Sequence, residues 1–213
     1  TEGQEYTANG TTWVFTNDKW IVSVPEPVVS INDLSDASAD ISTQSLAIGF
    51  AANGADGFEN VAIGQGALNS ANSSGGGGSV AIGRGAGGSD NGSYNISIGQ
   101  TSDTANSSIQ YGIAIGKTAE SSNFGISMGL SAGRKVSGPS NISIGRNSGD
   151  STLGLSGGNN IGLGDSTNYR MTTGDHNTSL GHFSGEYVSS GANNTLVGYR
   201  SGTVTTGSRN TAL

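Results

Sequence analysis

The chain of 213 residues carries 37 glycines, three prolines and no cysteine; only 32% of it is hydrophobic, and its formal net charge is −7. A composition so poor in large apolar groups excludes a thick globular core, since burial returns only about 25 cal/mol per Å² of apolar surface, and leaves a thin stacked core or one shared between chains. The acidic balance, without clustered Lys and Arg, argues against a nucleic-acid partner, and no run nears the roughly 20 apolar residues of a membrane helix, so membrane insertion is not expected.

Residues 1–24 form the first predicted element, a β-hairpin module. The stretch Tyr6-Thr7-Ala8-Asn9-Gly10-Thr11-Thr12-Trp13-Val14-Phe15 sets an Asn-Gly turn between two β-prone runs, the strongest short-range hairpin signal. A second turn at Thr16-Asn17-Asp18-Lys19 leads into Trp20-Ile21-Val22. Both tryptophans fall here, so Trp13 and Trp20 are expected to pack a small aromatic core. Residues 25–44 read as an extended acidic linker, because Pro25 and Pro27 block helix and interior strand alike and Asn32-Asp33-Leu34-Ser35-Asp36 shows no period.

From residue 45 to 213 one phrase recurs: a small or amide residue, a β-branched residue or Leu, a small residue, an Ile-type residue, Gly. Ten copies close at Gly49, Gly64, Gly83, Gly99, Gly116, Gly129, Gly145, Gly164, Gly181 and Gly198. The shortest interval lies between Gly116 and Gly129, and the longest, between Gly64 and Gly83, recurs between Gly145 and Gly164. Spacing of this order fits one supersecondary unit per repeat, the signature of a solenoid, with room for two short strands and two turns in each coil. Asn210-Thr211-Ala212-Leu213 begins an eleventh copy without its glycine, so more chain is expected beyond Leu213, as it is before Thr1. No segment has a helical period. The predicted class is all-β, a parallel β-roll of about ten repeats.

Within the first nine phrases the large residues sit two apart and the residue between them is small. Strand side chains alternate faces, so the large pair is expected to fill the core of the roll. The small residues Ala47, Ala62, Ala81, Ser97, Ala114, Ser127 and Ser143 then form an outer stripe on which neighbouring chains pack closely. A symmetric homo-oligomer is the usual solution, and the narrow roll is expected to depend on it.

The phrases Asn60-Val61-Ala62-Ile63-Gly64-Gln65-Gly66-Ala67 and Ser79-Val80-Ala81-Ile82-Gly83-Arg84-Gly85-Ala86 resemble the repeat of YadA-like head domains in trimeric autotransporter adhesins. The later copies, Asn177-Thr178-Ser179-Leu180-Gly181 and Asn194-Thr195-Leu196-Val197-Gly198, are similar to the Asn-Thr-x-x-Gly repeats of bacteriophage tail fibres, and residues 6–20 and 30–36 resemble segments of such fibres. The resemblance implies a left-handed roll assembled as a homotrimer. It also implies a place in the virion as a tail or head fibre joined to other virion proteins through its N-terminal side, and a part in attachment to a host surface glycan or protein. The head of a bacterial surface adhesin, on the outer surface of its cell, is the alternative.

Chemistry is sparse along the chain. The only histidines are His176 and His182, and no strained nucleophile elbow accompanies Asp175-His176. Asp150, Asp165, Asp175 and Glu186 could supply the carboxylate pair of a glycan-degrading tailspike, but each stands in a predicted turn, where solvated charge is the commoner role. Gly157-Gly158-Asn159-Asn160-Ile161-Gly162-Leu163-Gly164-Asp165 lacks the tandem copies of a calcium-binding nonapeptide, and Gly75 to Gly78 lack the Lys of a phosphate loop. No enzyme activity, metal or cofactor is expected. Arg84, Lys117 and Arg146 share the position after the closing glycine, a stripe suited to an anionic glycan or to pairing with acids. Receptor contact is expected in the aromatic turns at Tyr169, His182, Phe183, Tyr187 and Tyr199, or beyond Leu213, because turns vary freely while the strand phrases are committed to packing.

Overall fold

A computed structural model describes residues 4–8, 11–16, 19–23, 37–40, 44–52, 58–69, 77–88, 92–104, 110–151, 154–202 and 207–213. The chain divides into two units, Thr1–Ser35 and Asp36–Leu213. In the first, β1 (Glu5–Ala8), β2 (Thr11–Thr16) and β3 (Lys19–Ser23) form an antiparallel sheet in that order. Tyr6 lies opposite Trp13, the register that an Asn-Gly hairpin requires, and Phe15 lies opposite Trp20 in the second hairpin. The turns at Asn9-Gly10 and Asn17-Asp18, the side-chain packing of Trp13 and Trp20, and residues 25–36 and 41–43 of the linker lie outside the described residues.

The second unit is a β-solenoid. It begins earlier than the sequence indicated: Ala37–Asp40, placed in the linker on composition, is strand β4. This strand runs antiparallel to β5 (Ser45–Ile48) and pairs the edge that the first coil would otherwise expose. Each later phrase adds one strand. These are β6 (Val61–Ile63), β7 (Val80–Ile82), β8 (Ile96–Ile98), β10 (Ile113–Ile115), β12 (Ile126–Met128), β13 (Ile142–Ile144), β14 (Ile161–Leu163), β15 (Thr178–Leu180) and β16 (Thr195–Val197). With β17 (Thr211–Ala212) they pair in parallel and in register, phrase on phrase. The second strand for which each coil has room forms, among the described residues, in two coils only, as β9 (Asp103–Thr104) on β11 (Glu120–Ser121), with one further bridge between Val136 and Leu155. Elsewhere the far wall is turn, yet its amides still reach the next coil, as in Leu68 N–H to Ala86 O at 2.9 Å and Gly149 N–H to Thr167 O at 2.8 Å.

The closing glycine explains the corner. It adopts φ of +118° at Gly49 to +136° at Gly129, outside the range of L side chains. Its α-carbon also lies against the next coil: a Cβ at Gly64 would stand 2.6 Å from the carbonyl oxygen of Gly83. Three residues on, a second small residue turns inward, Ala67, Ala86, Ser102, Ala119, Ala132, Ser148, Thr167 and Ser184 in successive coils, all buried.

The faces of the strand are the reverse of the sequence expectation. The small stripe lies inside the roll, with Ala62, Ala81 and Ala114 fully buried, Ala47 at 7% and Ser97, Ser127 and Ser143 at 4% or less. It packs against the far wall of its own chain, where a Cβ at Gly133 or Gly149 would collide with the hydroxyl of Ser127 or Ser143. It is therefore not the surface that meets another chain. Opposite the strand the lumen takes mostly methyl and hydroxymethyl groups, larger side chains such as Leu68 entering it from the far wall, so the large strand residues turn out. They form two outward ladders, one through Val61, Val80, Ile96, Ile113, Ile126, Ile142 and Ile161, the other through Ile63, Ile82, Ile98, Ile115, Met128, Ile144, Leu163 and Leu180, half-buried to exposed throughout. The tenth phrase departs from this pattern. Leu196 takes the inward place beside Val136, Leu155, Met171 and Val188, while Thr178 and Thr195 replace Ile outside. Replacing Ala81 with Phe is accordingly expected to unfold its coil rather than merely block association, a melting change that a dilute, unassociated sample will show equally; overpacking costs typically about 1–3 kcal/mol per site.

Beside the small stripe runs a ladder of buried asparagines. The Oδ1 of Asn141 accepts from Asn160 N–H at 2.9 Å, and Asn160, Asn177 and Asn194 repeat the bond to the next coil at 2.9, 3.0 and 2.9 Å. Their Nδ2 atoms donate to Gly157, Gly174, Gly191 and Gly207 carbonyls. Ser45 and Ser79 occupy the same place with a shorter side chain and accept through Oγ at 3.1 and 3.2 Å.

Candidate functional site

The corner after the closing glycine carries most of the exposed chemistry. In the ninth phrase Gly181 is followed by His182 and Phe183, in the tenth Gly198 by Tyr199 and Arg200. Phe183 and Arg200 sit at φ of 58° and 56°, a left-handed position that a bulky residue takes only when neighbours hold it. Phe183 N–H donates to Asp165 O at 3.0 Å and Arg200 N–H to His182 O at 3.0 Å, tying each residue to the coil before it. The rings then meet. His182 stacks on Phe183 at 4.0 Å and faces Tyr199 at 5.7 Å, while the Arg200 guanidinium lies 5.5 Å from the Phe183 ring and 5.3 Å from that of Tyr199. Tyr199 is 65% exposed, so the cluster presents an aromatic surface with a cation at its edge. Such a surface can stack on the apolar face of a sugar ring or hold an anionic group.

One coil back, Asp165 occupies the corner and Arg146 the one before it. The Arg146 guanidinium donates from Nη2 and Nε to Asp165 Oδ2, and the two charges are 2.5 Å apart. This hydrogen bond holds the Asp165 carboxyl below its ordinary value against the opposing effect of burial, helped by the Ser166 hydroxyl and by the charges of Arg146 and His182. Of the cation stripe, Arg146 thus pairs with an acid of its own chain; Arg84 and Lys117 make no ion pair among the described residues.

The five aromatic-turn residues expected to contact a receptor fall into two groups. His182, Phe183 and Tyr199 come together at the corner, joined by Arg200, which the sequence reading did not single out. Tyr187 lies on the far side of its coil under the guanidinium of Arg170, 4.8 Å away, and Tyr169 is half-buried in the turn before it. The acids have local duties. Asp150 is buried and takes both Nε and Nη2 of Arg134 at 3.0 and 2.9 Å, and Asp175 accepts Gly158 N–H at 2.7 Å.

A third aromatic feature was missed altogether. Tyr94, Tyr111 and Phe124 stack in three successive coils, with centroids 5.2 and 5.5 Å apart and planes within 13° of parallel. All three are exposed, at φ of 62°, 57° and 55°. Their signal is positional: each immediately precedes the first residue of a phrase, a coincidence visible only when the repeats are aligned on their closing glycines.

No protein-family model, curated protein or solved structure matches this chain.

Proposed function

We propose that the protein is a structural fibre of a phage virion, a homotrimeric β-roll that contributes to host-cell attachment. The observation that carries this reading is the outward Val/Ile ladder, which runs uncharged along one face of a rod-like repeat and gains stability only when covered. Single exposed apolar residues are ordinary, whereas a contiguous apolar face of this length marks an association surface. The occupants are two further copies of the chain, since a ladder of constant chemistry along the rod is complementary to another of the same period. The repeat phrases that resemble adhesin heads and tail fibres support the threefold number and the attachment role. The corner of His182, Phe183, Tyr199 and Arg200 is the surface offered to a host glycan.

Light scattering on the isolated chain is expected to give three times the mass of one chain, and Ile113→Asp to reduce it to a single chain by placing a carboxylate in the covered face. Ser190→Asp, on an exposed turn, should leave the mass unchanged. Binding of the trimer to host cells should fall about tenfold or more when His182, Phe183 and Tyr199 are all alanine, while Tyr187→Ala alone should leave it unaltered. A wild-type monomer would sink the fibre reading.

A further inference from the structure

The residue before each phrase and the residue after each closing glycine flank the outward ladder on its two sides. The first series is Gln44, Glu59, Gly78, Tyr94, Tyr111, Phe124, Ser140, Asn159, His176 and Asn193, all at positive φ. The second is Phe50, Gln65, Arg84, Gln100, Lys117, Leu130, Arg146, Asp165, His182 and Tyr199. In every coil the two stand six residues apart, although the coils themselves differ in length. All of the length variation falls in the remainder of the coil. The ladder and its two flanks are therefore a plate of constant width, as a surface that meets copies of itself must be, whereas the far wall is free to vary.

Resting on the trimer reading above, we infer that along the coils of the Val and Ile ladder, those closed by Gly64 to Gly164, the two flanks of this plate meet each other across the interface coil for coil, so that Tyr111 of one chain lies against Lys117 of the next and Phe124 against Leu130, while the last two coils, with Thr178 and Thr195 outward, leave the corner of His182 and Tyr199 open. Symmetry supplies the argument. When three identical plates close around an axis along the rod, the leading edge of each meets the trailing edge of its neighbour, and a closed ring has no rise, so the coils stay level. The chemistry at matched levels agrees with this. Phe124 meets Leu130, apolar on both sides, and Lys117 finds an aromatic ring. Arg84 faces Gly78, Arg146 faces Ser140 and Asp165 faces Asn159, so no Lys or Arg meets another and no acid meets an acid. The stack of Tyr94, Tyr111 and Phe124 also acquires a role. Their ring faces are occupied by one another, and the exposed edges widen the plate where the neighbouring chain arrives.

The chain has no cysteine, so introduced pairs report on this geometry without interference. Ser140→Cys with Arg146→Cys places a thiol on each flank at one level, and Glu59→Cys with Gln65→Cys does so five coils away. Within one chain these thiols are separated by six extended residues, roughly 20 Å, beyond the ~7 Å between α-carbons that a disulfide spans. Mild oxidation is expected to convert most of either double variant to a disulfide-linked trimer on a non-reducing denaturing gel. Ser140→Cys with Gln100→Cys, three coils out of level and so offset by about 14 Å, should remain unlinked. The mass of each variant under reducing conditions separates the two ideas. A trimer by mass in which level pairs stay unlinked, or in which the offset pair links instead, overturns the coil-for-coil register while leaving the trimer. A monomer or dimer by mass overturns both.

Discussion

Asn177→Ala is expected to lower stability by about 4 kcal/mol, the largest loss from any single side-chain truncation in the roll, since each buried polar group left without a partner costs about 1–3 kcal/mol. The Asn177 side chain is fully buried, accepts from Asn194 N–H at 3.0 Å and from Asn194 Nδ2 at 2.9 Å, and donates to Gly191 O at 2.8 Å. Truncation strands the Asn194 amide and the Gly191 carbonyl together. Cooperative links in a one-dimensional stack spread the damage, because the coil on either side loses its neighbour's order as well. Asn177→Ser is the informative companion. Ser45 and Ser79 hold the same place elsewhere in the ladder and retain the bond to the next coil, so serine should recover about half of the loss. Denaturant unfolding of the three proteins measures this; equal stability of the alanine variant and the parent would mean that water replaces the ladder and that the asparagines do not bind the coils together.

Gly83→Ala is expected to cost about 3 kcal/mol or more, and Gly66→Ala about 1 kcal/mol, the difference lying in strain and collision at the first site. Both glycines have positive φ, but at Gly83 it is +132°, and a Cβ there would stand 2.5 Å from the carbonyl oxygen of Gly99 in the next coil. Backbone strain of this kind costs about 1–3 kcal/mol, and the collision adds an overpacking cost of similar size. Gly66 is at +65°, its nearest neighbour to an added Cβ is 4.0 Å away, and the corresponding corners hold Ala51, Thr101, Thr118 and Arg200. A left-handed L residue costs about 1–2 kcal/mol, which those corners already tolerate. If thermal melts rank the two substitutions equally, the close approach of successive closing glycines does not control the stacking distance.

The phrase spacing and the alternation within it were enough to read an all-β parallel solenoid, because a short, slightly variable period with glycine at one fixed place has few other physical realisations. The N-terminal hairpin pairing was equally legible, since the Asn-Gly dipeptide sets the register of Tyr6 against Trp13 by local geometry alone. The side of the strand that faces inward was not. Alternation says only that Ala62 and Val61 point opposite ways; which of them is buried depends on the width of the lumen, and that is set by the approach of the far wall, where Gly133 and Gly149 press on Ser127 and Ser143. The same tertiary closeness decided that Ala37–Asp40 would be a strand, for nothing in Ala-Ser-Ala-Asp calls for one until the edge of β5 is there to be paired. The aromatic turns divide in the same way. Exposed aromatic residues could be picked out one by one from the sequence, but bringing His182, Phe183, Tyr199 and Arg200 to one corner, and stacking Tyr94, Tyr111 and Phe124 on another, required coils of unequal length to come into register. Local chemistry set the repeat, and only the stacking distance between coils decided which residues meet.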